Sequence, residues 1–487
     1  MTEYDVVVIG AGVSGIGAAI RLRQAGVTNF AVLEKATELG GTWRDNTYPG
    51  CACDVPSALY SYSFAPNPEW TRAFAGQAEI RSYLHDVAER FGVVPHLQLG
   101  VEVKRAQWDG SVWRLDTSDG PYQARIVVAG TGPWHEPLVP DIPGGPEFAG
   151  EMFHSSRWNH DYDLRGKRVA VIGTGASAVQ FLPKIQPLVS ELHLFQRTAQ
   201  WVLPKPDHYV PLVERSLMRR VPAAQRALRT IEYGAMETLG LGFRHPWLLK
   251  QVQRVGRLHL RRAIQDPELR AALTPDYTLG CKRLLLSNDY YPALAQPNVT
   301  VHPGLRAIDG NTMMGADGST AEVDAVILGT GFHIQDMPIA RHVYDQAGHN
   351  LDEHWKGSPQ AYRGTTVAGF PNLFLLLGPS LGTGHTSAFM ILEAQLEHTI
   401  AGVRAVLDNG WHSIEVRRDV QDDFNAEVQR ALAGTVYETG GCASYYHDAN
   451  GRNSFSWPWS SSRLRREVGS FDPTAYDVTP APAQLDA

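Results

Sequence analysis

The feature that most constrains this chain is a pair of glycine turns, each placed where a strand runs into a helix. The first is Gly10-Ala11-Gly12-Val13-Ser14-Gly15, after an apolar run at residues 5–9 and before a helical pattern at residues 14–24. The second is Gly173-Thr174-Gly175-Ala176-Ser177-Ala178, after residues 168–172 and before a helix that leads to a strand at 192–195. In such a turn the first glycine permits the bend and the second lets backbone approach a pyrophosphate. The third small residue packs helix on strand. The helix N-terminus then presents N–H groups to the phosphates. Two such units predict an α/β fold with two dinucleotide-binding, Rossmann-like domains.

The residue that ends the next strand separates the two sites. Glu34 follows Gly12 by 22 residues, the spacing of an acid that binds a ribose 2′-hydroxyl. Arg197 follows Gly175 by the same 22 residues. A guanidinium there suits a 2′-phosphate, which NADPH carries and NADH lacks. The first site is therefore assigned to FAD and the second to NADPH. Gly40-Gly41-Thr42-Trp43, after the Glu34 strand, is a further loop of close backbone approach. The FAD-site candidates are Gly10, Gly12, Gly15, Glu34, Gly41, Thr42, Trp43 and Tyr60. The NADPH-site candidates are Gly173, Gly175, Ser177, Arg197 and Thr198.

Further strand patterns at 126–129 and 325–328 also break at glycine turns. The expected organisation is a discontinuous FAD-binding domain, residues 1–145 and 332–487, around an NADPH-binding domain, residues 146–331. An Arg- and Leu-rich stretch at 206–275 reads as a helical insertion in the second domain, its basic residues on a solvated helix face. Residues 372–377 read as a buried parallel strand, and residues 386–408 as a helix stopped by Asn409-Gly410. The Pro- and Ala-rich residues 473–487 read as a loose tail.

A formal charge of −7 argues against a nucleic-acid partner. The four cysteines, Cys51, Cys53, Cys281 and Cys442, read as free thiols in a reducing cytosol, without the company a metal site needs. There is no basic leader and no apolar run of transmembrane length. The expectation is a cytoplasmic protein with no metal, no membrane and no obligatory protein partner.

The stretch Phe148-Ala149-Gly150-Glu151-Met152-Phe153-His154-Ser155-Ser156-Arg157-Trp158 matches the pattern FxGxxxHxxxW. On this stretch the chain resembles the type I Baeyer–Villiger monooxygenases, within the class B flavoprotein monooxygenases. Phe148, Gly150, His154 and Trp158 carry the fingerprint; Asn159 stands where the family usually has Pro or Asp. Read by itself, His154 is a structural histidine, and the resemblance makes it a hinge and cofactor-positioning residue.

The resemblance extends to two more loops. Tyr48 to Asp54 resembles a loop ending in an aspartate beside the flavin, and Gly280-Cys281-Lys282-Arg283 one that supplies the active-site arginine. It implies that Asp54 and Arg283 are catalytic, that Lys282 joins Arg197 on the 2′-phosphate, and that Tyr445 replaces a tryptophan over the nicotinamide. The implied reaction converts a ketone to an ester or lactone with O2 through a C4a-peroxyflavin. The desolvated anion in that cycle needs a fixed cation, and arginine stays charged when buried. Oxygenation of a sulfide, amine or other heteroatom is the alternative. A disulfide reductase would need a cysteine pair beside the flavin, and Cys51-Ala52-Cys53 is spaced poorly for one. A non-enzymatic NADPH sensor would leave Asp54 and Lys282-Arg283 without a role.

Overall fold

Two parallel sheet cores, each entered through one of the glycine turns, organise the computed structural model, which describes residues 2–481. The first sheet runs Val343–Tyr344, Val103–Trp108, Trp113–Thr117, Gly120–Ala129, Thr2–Ile9, Phe30–Glu34, Leu97–Leu99. Its long strand Gly120–Ala129 changes partner part-way. The first half pairs antiparallel with Trp113–Thr117, and the second half pairs parallel with Leu373–Leu375. The second sheet is all parallel, in the order Val299–Pro303, Glu191–Gln196, Arg168–Ile172, Ala325–Leu328, Glu151–His154. Apolar strands such as Val6-Val7-Val8 and Val169-Ala170-Val171 are buried on both faces, as parallel strands covered by helices must be.

The chain leaves the first sheet after Ala129, builds the second between Glu151 and Leu328, and returns for Val343–Tyr344 and Leu373–Leu375. The helix Val13–Gln24 opens the first unit and Ala176–Ile185 the second. Gly15 is required by packing: a Cβ there would lie 1.7 Å from the Gly10 carbonyl oxygen. Gly10 is required by conformation, with φ of 97°.

Between the second sheet's strands Glu191–Gln196 and Val299–Pro303, the insertion folds as four helices: Leu212–Arg220, Pro222–Arg244, Pro246–Ala263 and Pro267–Ala272. Three begin on a proline, whose missing N–H costs nothing in a first turn. Near the C-terminus, helix Ala388–Asp408 packs on Val13–Gln24 behind the first glycine turn.

The expectation of a loose tail over residues 473–487 is corrected. Residues Tyr476–Pro480 form a strand antiparallel to Trp411–Val416. Tyr476 is buried, and its hydroxyl meets His398 Nε2 at 2.7 Å. That aromatic anchor and its partner strand outweigh the Pro/Ala composition; residues 482–487 of the expectation lie outside the described residues. No helix among the described residues is long and apolar enough to cross a membrane.

Candidate active site

A cavity of about 470 Å³ opens over the first glycine turn. Gly10, Gly12, Glu34, Gly41, Thr42, Trp43 and Tyr60 line it. Neither turn's helix has a side-chain cap, so the N–H groups of each first turn remain for an acceptor. The loops of Gly12 and Gly41 touch backbone to backbone: a Cβ on Gly41 would lie 3.0 Å from Gly12 Cα. Larger residues there would obstruct the approach of a pyrophosphate.

Glu34 is buried, yet its carboxylate is held rather than stranded. It accepts from the Ala11 N–H at 2.8 Å, the Ala36 N–H at 2.9 Å and Arg44 Nη1 at 3.0 Å. A carboxylate has about four acceptor positions, so one remains for a ribose hydroxyl. Trp43 Nε1 donates to the Tyr60 hydroxyl at 3.1 Å, fixing both rings on the cavity wall. The residues present therefore fit a flavin dinucleotide.

A second cavity, about 240 Å³, continues from the first and reaches the other helix at Ala176 and Ser177. Asp54 and Arg283, 229 residues apart, meet on its wall. Arg283 Nε donates to Asp54 Oδ2 at 3.0 Å, and Nη2 reaches Oδ1 at 2.7 Å and Oδ2 at 2.8 Å. Burial disfavours the Asp54 charge, but Arg283, Lys205 and a backbone hydrogen bond together outweigh it, so the Asp54 carboxyl stays below the ordinary value. Asp54 in turn holds the guanidinium well above its ordinary value, against the cost of desolvation. The Arg283 side chain keeps 39% accessibility, and it lines the cavity. Apolar side chains, among them Val55, Trp134, Phe332, Leu381 and Phe455, form much of the remaining wall.

Gly173, Gly175, Arg197, Thr198, Lys282 and Tyr445 line neither cavity. Gly173 has φ of 102° and lies against Gly329. The Thr198 carbonyl accepts from Thr174 Oγ1 at 3.1 Å, which closes the second turn. Lys282 lies 5.1 Å from the Tyr277 ring centre. Burial, and then the charge of Arg197, lower its ammonium below the ordinary value. Among the described residues neither Arg197 nor Lys282 takes part in a salt bridge. Two neighbouring cations beside a dinucleotide turn, neither paired with a carboxylate, fit a 2′-phosphate.

A sequence profile described as pyridine nucleotide-disulphide oxidoreductase matches residues 7–232. A Baeyer-Villiger monooxygenase of Streptomyces coelicolor is 50% identical over 488 residues, covering 99% of this chain and 94% of that protein. Another, from Pseudomonas aeruginosa, is 47% identical over 484 residues, covering 98% and 92%. The chain belongs to the Baeyer–Villiger monooxygenase family. The solved cyclohexanone monooxygenase of Rhodococcus sp. Phi1 bound to NADP+ superposes with a TM-score of 0.87 at 26% identity, covering 99% of this chain and 100% of that one.

In this Baeyer–Villiger family member the fingerprint stretch contains the edge strand Glu151–His154 of the second sheet. His154 is buried, and burial lowers its imidazole to about 4, so the ring is neutral. Its Nδ1 accepts from the Ser156 N–H at 3.1 Å. Trp158 packs edge-on to Phe153 and against Phe181. Phe148 closes over Gly150, where a Cβ would lie 2.5 Å from its ring. Asn159 donates to Glu151 Oε1 at 2.7 Å, so the departure from the family pattern has a local partner.

The expectation of four free thiols is corrected. Cys281 and Cys442 form a disulfide, while Cys51 and Cys53 are free. The bond ties the Lys282-Arg283 loop to the loop of Tyr445. The two cysteines lie 161 residues apart, so no local spacing revealed the pair. Burial raises the Cys51 thiol to about 11 and pushes Cys53 up further, which makes both poor nucleophiles. Tyr445 packs edge-on to Trp134 and Phe455, two cavity residues, at ring distances of 5.9 and 5.6 Å.

Several site residues escaped the sequence reading. Arg44 grips Glu34, and its only signal was a cation next to Gly41-Thr42-Trp43. Lys205 Nζ donates to the Cys53 carbonyl at 3.0 Å and adds positive charge near Asp54. Trp134 follows the glycine turn that ends a recognised strand, a position that could have flagged it.

Proposed function

We propose that this chain converts a ketone to an ester or lactone with O2, as an FAD- and NADPH-dependent Baeyer–Villiger monooxygenase. The observation that carries the reading is the Asp54–Arg283 fork on the wall of the smaller cavity, between the two glycine turns. Residues 1–145 with 332–487 would hold FAD, and residues 146–331 NADPH. When bound, the two cofactors supply hydride and oxygen chemistry.

The chain's own residues contribute placement and charge. Arg283 keeps its proton at any working pH and can stabilise negative charge that develops on oxygen. Asp54 engages Nε and Nη2, which fixes the guanidinium plane and leaves the Nη1 N–H groups outside the fork. The apolar wall excludes water and accepts the carbon skeleton of a ketone. Arg197 and Lys282 select the phosphorylated nicotinamide cofactor by charge.

The test is incubation of the purified protein with FAD, NADPH, O2 and a panel of linear, cyclic and aryl ketones, with sulfides and amines alongside. Mass spectrometry should show ketone products one oxygen heavier. Oxygen gain on the sulfides or amines alone would overturn the ketone assignment.

A further inference from the structure

Sixteen large hydrophobic side chains are exposed among the described residues, and ten of them fall between residues 209 and 258. Leu212 is 73% exposed, Val213 82%, Ile231 69% and Trp247 68%. Scattered exposed apolar residues are ordinary, but this concentration in one helical insertion is not.

Helix Pro222–Arg244 sharpens the point. Its solvent face repeats through Ala227, Ile231, Ala235, Thr238 and Leu241, and Arg226 is the only charged residue among its exposed positions. A surface helix normally carries its charges on that face. The next helix, Pro246–Ala263, packs beside it and exposes Lys250, Arg254, Arg257, Arg261 and Arg262. Residues 206–275 hold twelve Lys or Arg against six Asp or Glu, a net +6 within a chain of net −7.

We propose that this face of the insertion docks the enzyme peripherally on an anionic lipid surface. Apolar side chains with an exposed tryptophan, beside a row of cations, are what the boundary of an anionic bilayer takes up. A second copy of the chain is the poorer occupant. A two-fold interface would place each basic insertion against itself, with like charges opposed.

The position suits the enzyme. The inner face of Pro222–Arg244 bears Glu237, which meets His385 Nε2 at 3.0 Å, and Gly240, which packs on the same ring. His385 stands between Thr383 and Thr386, which line the smaller cavity. The docked face is therefore one helix thickness from the loop beside the proposed reaction site. The docking itself does not depend on the ketone reading, because it is measured without turnover.

The test is co-sedimentation of the flavin-loaded enzyme with vesicles of phosphatidylcholine alone and of phosphatidylcholine mixed with phosphatidylglycerol. The wild type should pellet with the mixed vesicles, and high salt should release it. The double variant Leu212→Glu/Val213→Glu should bind at least about tenfold more weakly. Trp247→Glu should also weaken binding. Both should keep wild-type flavin content, since the substituted side chains are exposed. Should a variant fail to fold, the wild-type comparison of the two vesicles and of low and high salt still decides. Enzyme that stays in the supernatant, or pellets equally with both vesicles, would overturn the proposal. So would a dimer of the wild type that Leu212→Glu/Val213→Glu converts to monomer.

Discussion

Replacing Arg283 with alanine removes a guanidinium that makes three hydrogen bonds to Asp54, at 2.7, 2.8 and 3.0 Å. Two consequences should be measured separately. The site loses its cation, and removing one donor to a developing oxyanion costs about 2.7–4 kcal/mol, so product formation should fall by about 10²–10³-fold. Asp54 loses its main partner as well, and stranding a buried charge can cost about 3–5 kcal/mol of stability. Lys205 remains nearby, so the stability loss should fall below that range. Arg283→Lys separates the effects: it keeps a charge but cannot form the two-pronged contact. The assay pairs NADPH consumption with product and hydrogen peroxide, beside anaerobic flavin reduction. Arg283→Ala should still bind FAD and consume NADPH, with the electrons appearing in peroxide instead of ester. Asp54→Ala should show a milder version, because the cation is present but poorly held. If Arg283→Ala makes ester at the wild-type rate, Arg283 is not the stabilising cation and the reasoning built on the fork fails.

Arg197→Ala should raise the Michaelis constant for NADPH roughly 10- to 150-fold, the loss of one charge-assisted contact, and leave that for NADH nearly unchanged; equal use of both cofactors by the wild type would refute the 2′-phosphate site. Thiol titration of the unfolded, unreduced protein should find two thiols, Cys51 and Cys53, whereas four would refute the Cys281–Cys442 bond. His154 and His398 both have imidazoles lowered by burial from 6.5 to about 4. Unfolding therefore takes up protons between those values. Stability should be complete above pH about 6.5 and fall as pH drops towards 4, by up to about 3 kcal/mol per histidine. Thermal midpoints of wild type and His398→Asn across that window check this, and an equally steep decline in the variant would refute the assignment to His398.

What was legible in the sequence was local. A glycine turn, the strand before it and the residue 22 positions on form one continuous stretch, so Gly12 with Glu34 and Gly175 with Arg197 could be read directly. Arg- and Leu-rich composition with helical spacing likewise disclosed the insertion. Asp54 and Arg283 were each visible in a loop, but only the folded chain brings their side chains together. Cys281 with Cys442, and Tyr476 with His398, depend wholly on distant pairing. Composition misled at both: few cysteines suggested free thiols, and Pro/Ala content hid a strand. The apolar outer face of Pro222–Arg244 was masked in the same way, because a helical pattern does not say which stripe faces inward.

The split first sheet sets a timetable for synthesis. Val127, Val128 and Ala129 are flanked on one side by Val7, Val8 and Ile9, which precede them in the chain. On the other side they need Leu373, Phe374 and Leu375. A ribosome adding about 5–20 residues per second takes on the order of 12–50 s to pass from one to the other. The entire second sheet is made in that interval. Meanwhile the end of the strand Gly120–Ala129, at Val127-Val128-Ala129, presents an apolar, half-paired edge to any extended chain it meets.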